Sequence, residues 1–179
     1  MVSTGQAPAA QLRVLVSEEA LRQAVARLAA AIDRDYAGKQ PVLVGVLKGS
    51  FIFLADLVRR LSVPVEVDFV RVASYGTATR TSGQVRLVSP LKTDVRGRDV
   101  VIVEDVIDSA LTVRYLLPYL RRRRPASLRV CAMFLKETGT PPPVPVDYLG
   151  MTIPNVFVVG YGLDYAEQYR QLPDLRVLE

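Results

Sequence analysis

The sequence predicts an α/β protein with a central, mostly parallel sheet flanked by helices. Three observations carry that prediction. Short apolar runs alternate with helical stretches over most of the 179 residues. The run Val100–Val103 leads straight into carboxylates, hydroxyls and a helix, and sheets of this kind bind ligands beyond the carboxyl ends of their strands. Half of the residues are hydrophobic and 23% are charged, enough apolar material for one core and too much for a disordered chain. Neither a repeat nor a shift of composition marks a second domain, so residues 1–179 are expected to form one domain, with the small, polar residues 1–11 flexible.

Taken in order, Leu21, Ala24, Val25, Leu28, Ala29 and Ile32 recur at helical spacing between Ser17 and Tyr36. Ser17 is placed to cap that helix, Glu18 and Glu19 suit its positive end, and Gly38 ends it. Val42–Leu47 reads as a buried strand, and Lys48-Gly49-Ser50 as the turn into a second helix, Phe51–Leu61. Pro64 opens a strand in which Val65, Val67 and Phe69 alternate with Glu66 and Asp68, so one face meets something polar. Residues 74–84 lack core material and read as a loop, with Val85–Ser89 a strand returning from it. After the Gly97-Arg98 turn come the strand Val100–Val103 and a helix from Thr112 to Arg124. Two further apolar runs, Leu128–Leu135 and Val156–Val159, are separated by the stiff connection 141–143, three prolines.

Composition narrows the chemistry. The chain has no histidine, which excludes Ser-His-Asp and Cys-His catalysis and the usual zinc sites. A metal would need oxygen ligands, which points to magnesium or a similar hard cation. The lone Cys131 lies in an apolar run and reads as a buried small hydrophobe in a reduced compartment. A net charge of +5 suits a polyanionic ligand or nucleic acid. The N-terminus lacks the regions of a signal peptide and no run is long enough to span a membrane, so the expected location is the cytoplasm.

The segment richest in chemistry is VVIVEDVIDSALT, residues 100–112. Glu104 and Asp105 stand where the strand is expected to end, and Asp108, Ser109 and Thr112 surround the turn into the next helix. Such a turn offers unpaired N–H groups and a positive dipole end, a fitting seat for phosphate. Carboxylates beside a phosphate would repel it unless they hold ribose hydroxyls and help to place magnesium.

This segment resembles the phosphoribosyl pyrophosphate motif of type I phosphoribosyltransferases, in particular the hypoxanthine-guanine branch. LKGSF (47–51), SYG (74–76) and FVVGYGLDY (157–165) match that branch in the same order, so the resemblance covers nearly the whole chain after residue 12. It implies the type I phosphoribosyltransferase fold, with a small hood and a mobile active-site loop. It also implies purine salvage: transfer of the 5-phosphoribosyl group from phosphoribosyl pyrophosphate to hypoxanthine or guanine, with Mg2+, by a homodimer or homotetramer.

By the same resemblance, Glu104 and Asp105 face the ribose hydroxyls and the metal, and Asp108 takes or relays the N7 proton of the purine. Ser109, Ala110, Leu111 and Thr112 wrap the 5-phosphate. Lys48 and Gly49 form the pyrophosphate turn, often built around a non-proline cis peptide, and Arg170 is a further pyrophosphate contact. Lys136, ending its strand, donates to the 6-oxo group; Phe157 stacks on the base and the Val158 backbone reads its edge. Asp164 contacts metal or base, and Ser74 and Tyr75 belong to the closing loop.

Three features stand apart from that pattern. Ala110 replaces the usual glycine, and its methyl group would crowd the phosphate or resist a left-handed backbone. Pro118 should kink its helix. The run Arg121–Arg124 fits nucleic acid in principle, but basic residues in a last helical turn ordinarily face water, so no nucleic-acid or membrane partner is expected. A nucleotide-binding regulator of the same fold, and a transferase preferring xanthine, are the competing functions. Glu104, Asp105, Asp108, Lys136 and Asp164 together argue for an enzyme, and Lys136 for a 6-oxopurine.

Overall fold

Helix α1 (Glu18–Asp35) forms where the apolar spacing predicts it: Ser17 is extended and its hydroxyl accepts from the Ala20 N–H at 3.2 Å. Glu18 and Glu19 sit at the positive end, and Leu21, Ala24, Val25, Leu28, Ala29 and Ile32 form the buried stripe. The helix closes with the Tyr36 N–H bonded to Ile32. A computed structural model describes residues 12–75, 84–142 and 144–179.

The main sheet has six strands in the order β4-β3-β2-β5-β6-β7. They are β2 (Val42–Leu47), β3 (Glu66–Tyr75), β4 (Gln84–Ser89), β5 (Asp99–Ile107), β6 (Ser127–Glu137) and β7 (Tyr148–Pro154). Every neighbouring pair is parallel except β3 and β4. Helix α2 (Phe51–Val58) follows β2, and α3 (Leu111–Arg121) follows β5. A second, antiparallel sheet, β1-β9-β8, joins β1 (Leu12–Val16), β9 (Leu175–Leu178) and β8 (Val158–Val159). It is the small hood that the resemblance implies.

Strand periodicity sorts the core into two layers. Leu43, Val101, Val103, Cys131 and Met133 pack with α1 and α2, while Val42, Val44, Val100, Ile102, Val130 and Ala132 pack with Val113, Leu116 and Leu120 of α3. Strands covered on both faces read as unbroken apolar runs, which is why β2 and β5 stand out in the sequence. Each fully buried Val, Leu or Ile contributes about 1.5–3 kcal/mol. Strand order reverses between β2 and β5, so the ligand crevice is expected at their adjoining carboxyl ends.

Several boundaries differ from the sequence expectation. Helix α2 stops at Val58 and not Leu61, and α3 runs from Leu111 to Arg121 and not from Thr112 to Arg124. Strand β5 continues through Ile107, so Glu104 and Asp105 lie inside the strand and not after it. Likewise Lys136 is within β6. Ser74 and Tyr75 belong to β3, not to a loop, because β4 extends the sheet beside them in antiparallel register. The rest of the expected loop, 76–83, lies outside the described residues, as do 1–11 and the last of the three prolines. Only Val158 and Val159 of the run 156–159 are strand, and β1, β7 and β9 carried too little unbroken apolar sequence to be foreseen.

Other features resolve into structure. Cys131 is fully buried, and burial pushes its thiol pKa up, so it is inert. Pro118 is accommodated inside α3, which continues three residues beyond it. The arginine run does not form a uniform basic face. Arg123 turns back to donate to the Leu91 carbonyl and the Tyr119 hydroxyl, while Arg121, Arg122 and Arg124 are exposed. Among the described residues no helix is long and apolar enough to cross a membrane.

The polar face predicted for β3 braces the linker that follows β4. Asp68 accepts from the N–H groups of Phe69, Lys92 and Thr93, at 2.7–2.8 Å. Burial alone would raise its pKa, but these amides hold it below the usual carboxylate value. A depressed carboxylate stabilises the fold above its unfolded pKa and loses that contribution as pH falls through the folded one. Asp68→Ala is therefore expected to cost about 1–3 kcal/mol at pH 7, the scale of amides left unpaired. The difference from the parent should shrink as pH drops below the ordinary carboxylate range, as urea unfolding at several pH values would report.

Candidate active site

The carboxyl ends of β2 and β5 meet where the expectation places the crevice. A cleft of about 630 Å³ opens there, and its walls include Lys48, Gly49, Arg71, Asp105, Lys136, Phe157, Val158, Asp164 and Arg170. A smaller pocket of about 160 Å³ is lined by Glu104 and by residues 106–113. Val106 borders both. Every described site residue predicted from the sequence lines one of these two spaces; the side chains of Ser74 and Tyr75 lie outside the described set.

Strand periodicity explains why two adjacent carboxylates serve different pockets. Successive side chains of β5 point to opposite faces, so Glu104 turns toward the start of α3 and Asp105 toward α2 and the Lys48-Gly49 turn. Glu104 is only 7% exposed and its Oε2 has no hydrogen-bond partner. Burial, then the neighbouring Asp105, drive its pKa well up. Asp105 is pushed up to about 6, mainly by burial, although the Val106 N–H donating to it at 2.8 Å works the other way.

The turn after β2 contains a cis peptide between Leu47 and Lys48. At the next residue, a Cβ on Gly49 would lie 1.6 Å from Asp105 Oδ2 and would displace that carboxylate. From the other side Gly162, at φ +97°, approaches so closely that its own Cβ would lie 2.3 Å from the Gly49 carbonyl oxygen. Ser50, fully buried, donates to the Val46 carbonyl at 2.7 Å and starts α2. Tyr161 ties the 160s segment to α2 by donating to Asp56 at 2.7 Å. The turn is thus clamped between β5 and the segment after β8.

Beyond β5, residues Asp108–Thr112 wrap the small pocket. Ala110 takes a left-handed conformation, φ 56° and ψ 15°, and is buried. This is the position a glycine would occupy without strain, and the alanine costs roughly 1–2 kcal/mol there. The first intrahelical bond is from Arg114 to Ala110, so the N–H groups of the first turn of α3 have no helical acceptor. That leaves a helix N-terminus aimed at an anion.

On the far wall, Lys136 Nζ donates to Asp108 Oδ2 at 3.0 Å. Phe157, about half exposed, is no core residue: it meets the equally exposed Tyr165 edge-to-face at 5.8 Å. Leu178 donates to the Phe157 carbonyl, and Val158 pairs opposite Val177. In that antiparallel register the N–H and C=O of Val158 itself point away from β9. Arg170 bonds Asp164 at 2.7 Å and the Gly162 carbonyl at 2.8 Å.

Arg71, Tyr165 and Glu167 were not singled out in the sequence. Arg71 ends an alternating strand pattern and Tyr165 follows a matched acid, which are weak signals; Glu167 gives none, because its position depends on a left-handed backbone at φ 64°. Among the described residues no group of three potential ligands is gathered for a metal. Asp105 and Asp164 nevertheless share the large cleft, and magnesium characteristically needs one or two carboxylates beside substrate phosphates and water. The donor set therefore fits a magnesium that arrives with a phosphorylated substrate.

A nucleotide-handling transfer site at a sheet's switch point is what fold and cleft define, and comparison with known proteins gives the class. Residues 15–166 match the model of the phosphoribosyl transferase domain, and the chain belongs to that family. It is 42% identical to the hypoxanthine-guanine phosphoribosyltransferase of Bacillus subtilis over 167 residues, covering 93% of each chain. The enzyme of that name from Dictyostelium discoideum is 44% identical over 170 residues, covering 93% of this chain and 94% of its own. The crystal structure of a Bacillus anthracis hypoxanthine-guanine phosphoribosyltransferase superposes with a TM-score of 0.88 at 38% identity, covering 96% of this chain and all of the other.

The raised Asp105 pKa has a measurable consequence in the ligand-free protein. Its protonated form is favoured on folding, so stability falls as pH rises from the ordinary carboxylate value through about 6. Asp105→Asn removes that dependence. The variant should match the parent near pH 4 and exceed it at pH 8 by on the order of 1–3 kcal/mol, read from unfolding midpoints.

Proposed function

We propose that this chain is a purine salvage transferase, moving the 5-phosphoribosyl group of phosphoribosyl pyrophosphate to hypoxanthine or guanine and giving IMP or GMP plus pyrophosphate. The observation that carries the choice of base is the Lys136–Asp108 contact of 3.0 Å. The two groups present a cationic donor beside a carboxylate acceptor. In a 6-oxopurine, O6 accepts and N7–H donates from the same edge, so that edge would engage both. Adenine offers an amino group opposite Lys136 and gains nothing.

In this reading each part of the site has one task. The first-turn amides of α3 with the Ser109 and Thr112 hydroxyls hold the 5-phosphate, as the helix N-terminus favours. Ala110 and Leu111 complete that wrap. Glu104, a buried carboxylate without a donor, accepts from ribose hydroxyls together with Asp105. Lys48, the Gly49 backbone and Arg170 hold pyrophosphate. Phe157 stacks against the base, and the outward Val158 backbone groups read its edge.

C1 of the ribose loses pyrophosphate through an oxocarbenium-like state while N9 of the base bonds to it, and Asp108 accepts the proton that N7 gives up. Glu104, Asp105 or Asp164 would hold a magnesium ion, which would supply charge neutralisation to the leaving pyrophosphate. Ser74 and Tyr75 open the segment that would exclude water from the reacting carbon. The protein is proposed to work as one domain in the cytoplasm, as a homodimer or homotetramer.

The test is nucleotide synthesis by purified protein from phosphoribosyl pyrophosphate with each of hypoxanthine, guanine, xanthine, adenine and uracil. Product from hypoxanthine or guanine, lost on chelating magnesium, supports the assignment; a folded protein inactive with every base refutes it. Asp108→Asn should lower kcat by about 10²-fold or more while leaving the unfolding midpoint near the parent's, the scale of a lost acid–base group. Lys136→Ala should reduce the preference for hypoxanthine over adenine by about tenfold or more in kcat/KM, as loss of a charged donor implies.

A further inference from the structure

The two cations assigned to pyrophosphate already have a ligand, and it comes from the chain itself. The Glu167 carboxylate accepts from Lys48 Nζ at 2.7 Å through one oxygen and from Arg170 Nη2 at 3.1 Å through the other. Its backbone N–H in turn bonds Asp164 Oδ2 at 2.8 Å. Ala166, Glu167 and Tyr169 all sit at positive φ, 51°, 64° and 77°, within one short turn. Left-handed L-residues cost roughly 1–2 kcal/mol each, so the turn that aims Glu167 into the cleft is held against its own preference. The bridges from Tyr165 to Gln168 and from Glu167 to Asp164 hold it there.

A bridging carboxylate is chemically what a phosphate oxygen pair would be. Lys48 and Arg170 supply two positive charges, and Asp164 and Glu167 balance them in the same wall. When pyrophosphate enters, Glu167 becomes a surplus anion that must give up both bonds. It can do so cheaply, since its side chain is 65% exposed while that of Arg170 is only 19% exposed. Lys48 and Arg170, tethered beforehand by Glu167, are already extended into the cleft.

We propose that Glu167 is a resident counter-ion of the pyrophosphate site: it positions Lys48 and Arg170 before pyrophosphate binds, is displaced by pyrophosphate, and returns as pyrophosphate leaves. The proposal rests on the reading of Lys48 and Arg170 as pyrophosphate ligands. It makes Glu167 a positioning residue whose competition weakens product binding. A purely structural glutamate would act with the opposite sign, because loosening the turn would weaken every ligand.

Binding of inorganic pyrophosphate with magnesium to the full-length ligand-free protein, followed by calorimetry, tests it. Glu167→Gln should bind pyrophosphate about three- to tenfold more tightly than the parent, the scale of one or two exposed ion pairs relieved. KM for phosphoribosyl pyrophosphate should fall in step, and kcat should fall where pyrophosphate release limits turnover. Glu167→Asp, which keeps the charge on a shorter stem, should lie between the two. Unchanged or weaker pyrophosphate binding in Glu167→Gln overturns the counter-ion role. Lys48→Ala separates the two layers of the argument: weakened pyrophosphate binding there upholds the site, whereas unchanged binding removes the site reading and the counter-ion with it.

Discussion

The site depends on the contact between β5 and the turn after β2. The Asp105 carboxylate lies where a methyl group on Gly49 would be and would have to move for one, while Gly162 closes on the backbone of the same turn from the other side. These contacts arise because strand order reverses between β2 and β5, leaving their carboxyl ends adjacent and uncovered by a crossover helix. Everything else in the cleft takes its position from that seam. Lys48 projects from one lip, Lys136 from the next strand over, and the hood folds Phe157 across the opening.

Electrostatically, the site's own charges hold one another in check. Desolvation holds Glu104 and Asp105 back from ionising, the latter less so because of the charge on Arg170, while Lys48, Lys136 and Arg170 are each paired with an acid. A ligand that brings both phosphate oxygens and hydroxyl or N–H donors exchanges these internal pairs for its own. Phosphoribosyl pyrophosphate and a 6-oxopurine have that combination of groups. The left-handed Ala110 shows the same economy: the turn into α3 carries a methyl group where glycine would be unstrained, at a modest cost.

Much of this was legible beforehand. The two-layer core follows from the unbroken runs of β2, β5 and β6, and the α1 cap and stripe follow from Ser17 and the residues behind it. Lys48, Gly49, Asp105 and Lys136 share one cleft because they lie toward the carboxyl ends of parallel strands, whereas Phe157, Val158, Asp164 and Arg170 reach it from β8 of the hood and the residues flanking that strand. Less legible were β1 and β7, much of whose surface is exposed, and β9, only four residues long; none has a continuous apolar signature. Phe157 lies half exposed on the cleft although it belongs to an apolar run, because residue type alone does not tell an apolar side chain of the surface from one of the interior.

The sequence by itself determined the fold class, the strands and helices of the central layers, the exclusion of histidine chemistry, and the string of acids and hydroxyls from Glu104 to Thr112. Those depend on local periodicity, on residue types, and on an order of motifs along one dimension. Only the tertiary structure decided that Glu104 and Asp105 serve opposite faces of one strand, that Lys136 meets Asp108, and that Glu167 reaches Lys48 across 119 positions of chain. Strand extension, sheet register and left-handed turns set those meetings, and each is fixed by packing between segments that no local pattern connects.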